Sequence, residues 1–522
     1  MNLRTILLLG TLAAQCLPAS AQTDLDPPFP RLATIYTKTG AGVSQKTDEG
    51  KRVIAKFNLY ISTQHEWVTG GRYLKYLNPR QIDLIYVHSV FCSRWSAGPD
   101  GSGFSIGATP YYLDLKWLLC YAGATLSHPV DTLTRNIPVE DLSPFTIGDY
   151  ALIGGVNNQK PELVKIIATS AAAGPGMLTV ERGRMDENGK FPAIAHDRGD
   201  YVRAVAYAWK QGFLAFNMSA ACPRSDINPG LGKALTYNQF LAAFWAAKIA
   251  HDSLYSNLDG VFLDNYVDIP SQLLHNARAV DYTNRNKPTP SPDNNDYWKK
   301  GMADLARQMR LRLPDKLITA NTGGSADNSG AWLNGGMIEG VNQDGKNRFV
   351  GDADANPTGY YNSWMTKSAS PHIFVYNASD AIDGDLETAR TDYKAMRFLL
   401  TLTLLDDGYF DYDEFLVRNS PAGLNSGGHQ SAWWYDEYDN AGRGPGYLGY
   451  PLGKPTEPLK GVFRRDFQKG IVLCNTTTDP QQVSLEKAYT KIAGTQDPVT
   501  NDGSTITSLT LQPQDGIILL SR

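Results

Sequence analysis

Leu258-Asp-Gly-Val-Phe-Leu-Asp-Asn-Tyr266 is the stretch on which the fold turns. Three apolar residues, Val261 to Leu263, end in Asp264, and Asn265 and Tyr266 follow directly. A short buried strand that closes on a carboxylate sets that acid at the rim of a sheet. In a parallel barrel the C-terminal rim is where functional residues collect. The design recurs along the chain. Residues 317–320 run into Asn321, Thr322 and Gly323, and residues 337–338 run into Glu339, Gly340 and Asn342. Residues 372–376 end in Tyr376 and Asn377, and residues 408–410 run into Asp411, Tyr412, Asp413 and Glu414.

Working outward, residues 55–61, 82–87 and 117–121 read as the first three strands, and 213–216 as a further short one. Helical periodicity separates the later strands. It covers 237–255, with Ala242, Ala243, Trp245, Ala246 and Ile249 on the apolar face, then 297–313 up to Pro314, and 386–405. Strand–helix alternation implies βα units around a parallel sheet, and roughly eight units point to a (β/α)₈ TIM barrel. A doubly wound sheet is the competing fold. It is weakened because no GxGxxG follows a strand.

Two regions break the alternation. Residues 140–203 carry closely spaced short strands with turn residues between them, which reads as a small β module inserted into the barrel. From 455 to 522 strands again follow one another without a helix, an antiparallel C-terminal domain. The barrel is then expected over 51–139 and 204–454, with 22–50 as a lead-in. Residues 1–21 read as a cleaved export signal: Arg4, an apolar run from Ile6 to Leu12, and Ala19-Ser-Ala21 before Gln22. The reading is a secreted or periplasmic protein. No later run is long enough to span a membrane.

The 522 residues carry a net charge of −4. There is no basic surplus to neutralise phosphates, which argues against nucleic acid as a partner. Beyond the leader the cysteines are Cys92, Cys120, Cys222 and Cys474, without metal-ligand spacing. One disulfide among the first three and free buried thiols are both open. Nothing in the sequence sets the oligomeric state.

Paired carboxylates at the ends of strands four and six suit glycoside hydrolysis. That reaction needs one carboxyl to protonate the leaving oxygen and another to attack the anomeric carbon or activate water. Asp264 and Glu339 are the candidate pair, and like charge nearby raises the pKa of one of them toward general-acid duty. A retaining mechanism with Asp264 as nucleophile and Glu339 as acid/base is favoured, with swapped roles and inversion left open. The expected substrate contacts are Asn265, Tyr266, Asn321, Asn342, Tyr376, Asn377, Asp411, Asp413 and His88. Arg94 lies near His88, and Trp433 and Trp434 form a loop wall between Gly428 and Gly442. The expected partner is a carbohydrate substrate, with no cofactor and no metal. Asp352-Ala-Asp354 and Asp383-Gly-Asp385 hint at calcium but complete no binding loop.

Two other classes remain: a non-catalytic carbohydrate-binding or surface protein on an inactive barrel, and an esterase using Ser105 of Gly103-Phe-Ser-Ile-Gly107. The latter motif lacks the strand before and helix after that a nucleophile elbow requires.

The DGVFLDN stretch with the later GGMIEGVN resembles exported TIM-barrel glycoside hydrolases, specifically the hypothetical glycosyl-hydrolase-like family fifteen. It is more remotely similar to the endo-α-1,4-polygalactosaminidases. The resemblance runs from about residue 50 to the end, apart from the insert, and includes a glycosidase-like β tail around residues 465–475 and 511–519. The likeness to those remote relatives implies an Asp after strand four and a Glu after strand six as the catalytic pair, and carries over to Asp264 and Glu339 alone. The insert departs from that pattern and resembles small β modules of phage tail and surface proteins.

Overall fold

A computed structural model of the chain describes residues 23–35, 47–92, 104–106, 109–155, 160–183, 192–208, 213–268, 270, 273–274, 280–288, 293–322, 329–341, 357–383, 390–418, 433–439 and 442–521. The export signal, Arg94, Gly103, Gly107, Gly323, Asn342, Asp352, Asp354 and Asp385 lie outside them.

The centre is an eight-stranded parallel sheet: β1 (Ala33–Ile35), β2 (Leu59–Ser62), β3 (Ile82–His88), β4 (Gly260–Asp264), β5 (Leu317–Asn321), β6 (Gly335–Val341), β7 (Val375–Asp383) and β8 (Tyr409–Arg418). The last strand returns to the first. Phe410 N donates to Arg31 O at 2.8 Å, and Leu32 bridges Phe410 in parallel, so the sheet closes as a TIM barrel. The first strand, a short Ala-Thr-Ile, sits inside the segment read as a lead-in. Residues 117–121, read as the third strand, are not in the barrel. Leu115–Trp117 is a 3-10 turn, and Cys120–Tyr121 pairs antiparallel with Val280–Asp281. One strand missed and one misplaced leave the numbering from β4 onward unchanged.

Side chains alternate along each strand. Ala33, Ile35, Leu59, Ile61, Ile82, Leu84, Phe262, Leu317, Met337, Val375 and Tyr409 form one buried cluster, the barrel interior. Their neighbours Tyr60, Ile85, Val87, Val261, Leu263, Ile318, Ile338, Tyr376 and Phe410 belong to the larger core outside the barrel. That core is covered by α1 (Asp48–Ile54), α2 (Arg72–Leu77), α3 (Tyr237–His251), α4 (Asp293–Arg312), α5 (Pro357–Lys367) and α6 (Tyr393–Leu404). α3 starts where a capping box permits: Thr236 N donates to Gln239 Oε1 at 3.2 Å, while the Thr236 hydroxyl accepts from Gln239 N.

Between β3 and α3 lies a six-stranded antiparallel sheet drawn from Ala124–Thr125, Asn136–Val139, Tyr150–Ile153, Glu162–Thr169, Gly176–Glu181 and Tyr201–Ala204. It begins earlier than residue 140, and among the described residues none of its strands pairs with the barrel sheet. A second six-stranded antiparallel sheet spans Thr456–Leu459 to Asp515–Leu520. It docks on α6 so closely that a Cβ on Gly516 would lie 1.9 Å from Thr401 Oγ1. Buried Arg397 of α6 is ion-paired with Asp497 and, at 3.3 Å, with Asp515. Cys120, Cys222 and Cys474 are free and buried; burial pushes the Cys120 thiol up to about 11. Among the described residues no helix is long and apolar enough to cross a membrane.

Candidate active site

The inward side-chain parity of the barrel carries straight through to its C-terminal rim. From Phe262 the next inward residue is Asp264. By the same count Asn321 follows Leu317 and Thr319, Glu339 follows Met337, Asn377 follows Val375 and Asp411 follows Tyr409. On β3, Tyr86 and His88 continue Ile82 and Leu84. The apolar interior is thus topped by a polar layer in which Asp264 pairs in register with His88, and Glu339 with Asn377 and Asn377 with Asp411. A register shift between Glu339 and Val341 marks a bulge at the rim, a device that re-aims side chains beside active sites.

Asp264 is buried and faces donors on three sides. The Tyr86 hydroxyl and Asn265 Nδ2 both donate to Oδ2, and Asn321 Nδ2 donates to Oδ1 at 3.1 Å. Asn265 turns back onto its neighbour because its φ is +56°, a left-handed conformation that Asn tolerates better than most residues. The Ser89 hydroxyl donates to the Asp264 carbonyl and ties the strand end to β3.

Glu339 is exposed. The same Asn321 nitrogen donates to its Oε2 at 2.7 Å. One amide therefore bridges the two carboxylates. The bonds of 3.1 and 2.7 Å cap the separation of those two oxygens at about 5.8 Å. The 120° fork of an amide NH₂ brings it to about 5 Å.

His88 stands with Nδ1 3.9 Å from Asp264 Oδ2, its ring edge-on to Tyr86 at 4.8 Å. Burial lowers its pKa, against the pull of Asp264, and so favours the neutral imidazole. On the far side Asn377 Nδ2 donates to Asp411 Oδ2 at 2.6 Å, both residues buried.

The rim thus brings together Asp264, Asn265, Asn321, Glu339, His88, Asn377 and Asp411. It does not bring in Tyr376 or Tyr266. Tyr376 is one residue out of parity, faces the helix layer, packs on Tyr361 and Phe374, and donates to Asp406 Oδ2 at 2.6 Å. Tyr266 is past the strand end and buried against α4, its hydroxyl 2.6 Å from both Met302 O and Ser329 Oγ.

Trp434 is no cleft wall either. Its ring meets Phe57 at 5.3 Å and lies under Lys56 at 4.9 Å, where the chain enters β2 at the opposite rim. Trp433 lies under Arg390 at 4.4 Å, and Arg390 belongs to the segment between the end of β7 and the start of α6. The side chain of Asp413 is outside the described residues, as is Asn342. Ser105 sits in a hairpin, Phe104–Ile106 with Thr109–Tyr111, so among the described residues a second strand and not a helix follows it, and the motif forms no elbow. Among the described residues no cluster of His, Cys, Asp and Glu could hold a metal ion.

The residue that sequence reasoning missed is Tyr86. It is hidden inside an apolar run, and the signal that finds it is the alternation from Ile82 through Leu84.

Residues 233–471 match the model of hypothetical glycosyl hydrolase family 15, a span holding β4 to β8 with Asp264, Asn321 and Glu339. No curated protein matches the chain. Among solved structures the chain is similar to the glycoside hydrolase domain of PelA from Pseudomonas aeruginosa, with 9% identity over 74% of this chain and 95% of that one and a TM-score of 0.32. It is similar to an Anoxybacillus alpha-amylase at 9% identity, over 94% of this chain and 98% of that one, with a TM-score of 0.42. A type III pullulan hydrolase from Thermococcus kodakarensis gives 11% identity over 96% and 78%, with a TM-score of 0.40. The family model covers less than half of the chain, and the likenesses to solved structures are distant.

Proposed function

We propose that this glycoside hydrolase cleaves an extracellular poly- or oligosaccharide by a retaining mechanism, with Asp264 as nucleophile and Glu339 as acid/base. The observation that carries the reading is the Asn321 amide, whose one nitrogen bonds both carboxylates, an arrangement that sets the two bonded oxygens about 5 Å apart. Retaining enzymes hold their carboxyl groups at about 5–5.5 Å, and inverting ones leave about 6.5–9.5 Å for a water.

The two environments support the division of roles. Asp264 is buried among three donors, which fix one oxygen pair in a single orientation and suit a carboxylate that must meet the anomeric carbon in line. Glu339 is exposed at the rim, where one carboxyl must give its proton to the leaving-group oxygen and then, as carboxylate, take a proton from the attacking water. His88 beside Asp264 and the Asn377–Asp411 pair beside Glu339 flank the two carboxylates and offer donors and acceptors to sugar hydroxyls. An extracellular substrate follows from the export signal read in residues 1–21.

A panel of glycans screened by product mass spectrometry identifies the substrate. On that substrate Asp264→Asn and Glu339→Gln are each expected to lose most activity with an unchanged circular dichroism spectrum. Folded variants that turn over near the wild-type rate would make the pair scaffolding and restore the inactive-barrel reading.

A further inference from the structure

The opposite rim of the barrel holds a cavity of about 620 Å³, within the range of small-molecule sites. It is built from four separate pieces of chain: the segment before β1, the end of α1, the turn after α2, and residues 443–450. Arg52, Lys56, Arg80 and Arg443 line it, all exposed, against a single acid, Asp24. Among the described residues none of the four cations is ion-paired. In a chain of net charge −4 that is a local reversal of sign.

Cations gather at helix C-termini to offset the dipole, which accounts for Arg52 in the last turn of α1. It does not account for Arg80 and Arg443, which lie in turns outside any helix. Two rings, Tyr447 and Tyr450, complete the lining. Tyr447 is half-buried with Arg443 5.9 Å above its ring, and Tyr450 is fixed by a 3.0 Å bond from its hydroxyl to Asp26 O.

We infer that this groove is a second glycan-binding site, selective for sugars that carry carboxylates. Tyrosine faces stack under sugar rings, and guanidinium forks meet carboxylates two bonds at a time. A neutral sugar gains only the stacking. Arg80 precedes β3 and His88 ends it, so the groove and the catalytic rim stand about 20 Å apart at 3.3 Å per strand residue. A bound chain here cannot occupy neighbouring subsites of the cleft. It holds the enzyme on an acidic polymer and raises the local concentration of bonds to be cleaved. The inference does not depend on the roles of Asp264 and Glu339.

Calorimetry on the full chain tests it with four probes: trigalacturonate, a neutral galactose trisaccharide, inorganic phosphate and sulfate. Trigalacturonate is expected to bind and to weaken as sodium chloride rises. The double variant Arg52→Glu/Arg443→Glu, checked for an unchanged melting curve, should weaken it at least tenfold, and Tyr447→Ala should do so several-fold. Asp264→Asn should bind it as wild type does. Equal binding of the neutral trisaccharide would overturn the inference. So would phosphate or sulfate binding as tightly as trigalacturonate, insensitivity to salt, loss of binding in Asp264→Asn, or no binding at all.

Discussion

Replacing Asn321 by Ala removes the one nitrogen shared by Asp264 Oδ1 and Glu339 Oε2 and leaves the rest of both carboxylate environments in place. A hydrogen bond to a charged group is worth about 1.5–3 kcal/mol. Two anionic carboxylates about 5 Å apart repel by about 3 kcal/mol at an effective dielectric of about 20, and the amide dipole between them offsets part of that. If one such contribution is lost in the transition state, kcat/KM falls by about 10- to 100-fold at 1.4 kcal/mol per decade. Asn321→Asp keeps the size, deletes the donor and adds a third carboxylate, so its loss is larger. The assay is kcat/KM on the identified substrate, with thermal melts to show that both variants fold. A folded Asn321→Ala enzyme within twofold of wild type would refute the reasoning, because the pair would then hold its spacing without the bridge.

Three further outcomes follow from the same geometry. Tyr86→Phe deletes the hydroxyl that donates to Asp264 and is expected to lower kcat about tenfold with little change in KM; an unchanged kcat would remove Tyr86 from the site. Asp83 lies fully buried beside Lys75 and Asp259, and burial raises its carboxyl to about 8. The folded state therefore holds that proton more tightly than the unfolded chain. Its contribution is full below the unfolded value of 3.8 and is lost as pH rises through about 8. Asp83→Asn should flatten the decline of Tm between about pH 5 and pH 9, and an unaltered slope would show that Lys75 keeps the group ionised. Arg397→Met strands Asp497 and Asp515 at the joint between α6 and the C-terminal sheet. Stability measured by urea titration should fall by about 3–5 kcal/mol, and a loss below about 1 kcal/mol would mean that the joint is not held by that charge.

How far the sequence reaches is visible in particular residues. Asp264 and Glu339 are legible as rim residues because each follows an apolar run, although β6 itself continues to Val341. Parity places them in the barrel, and parity is also what the reading of Tyr376 lacked. Asn377, one residue on, faces inward, while Tyr376 faces the helix layer. Tyr266 fails for a related reason, since beyond the strand end the chain has already turned back toward α4. β1 was illegible because Ala33–Ile35 is too short to show a run and follows a proline-rich segment. Residues 117–121 looked like a barrel strand because an insert needs its own core, and a core run carries no mark of which sheet it joins. Trp434 follows a glycine-rich stretch of sequence yet packs on Phe57 and Lys56, a long-range contact that no local signal announces.

The central claim, a retaining enzyme with Asp264 as nucleophile, is tested most directly by azide rescue of Asp264→Ala on an activated glycoside of the identified substrate, with the anomeric configuration of the product read by proton NMR. With the nucleophile gone, azide enters from the face that Asp264 occupied, and the account predicts a glycosyl azide of inverted configuration. Glu339→Ala under the same conditions should give the retained azide through an intact covalent intermediate. A retained azide from the Asp264 variant, or an inverted one from the Glu339 variant, would contradict the assignment.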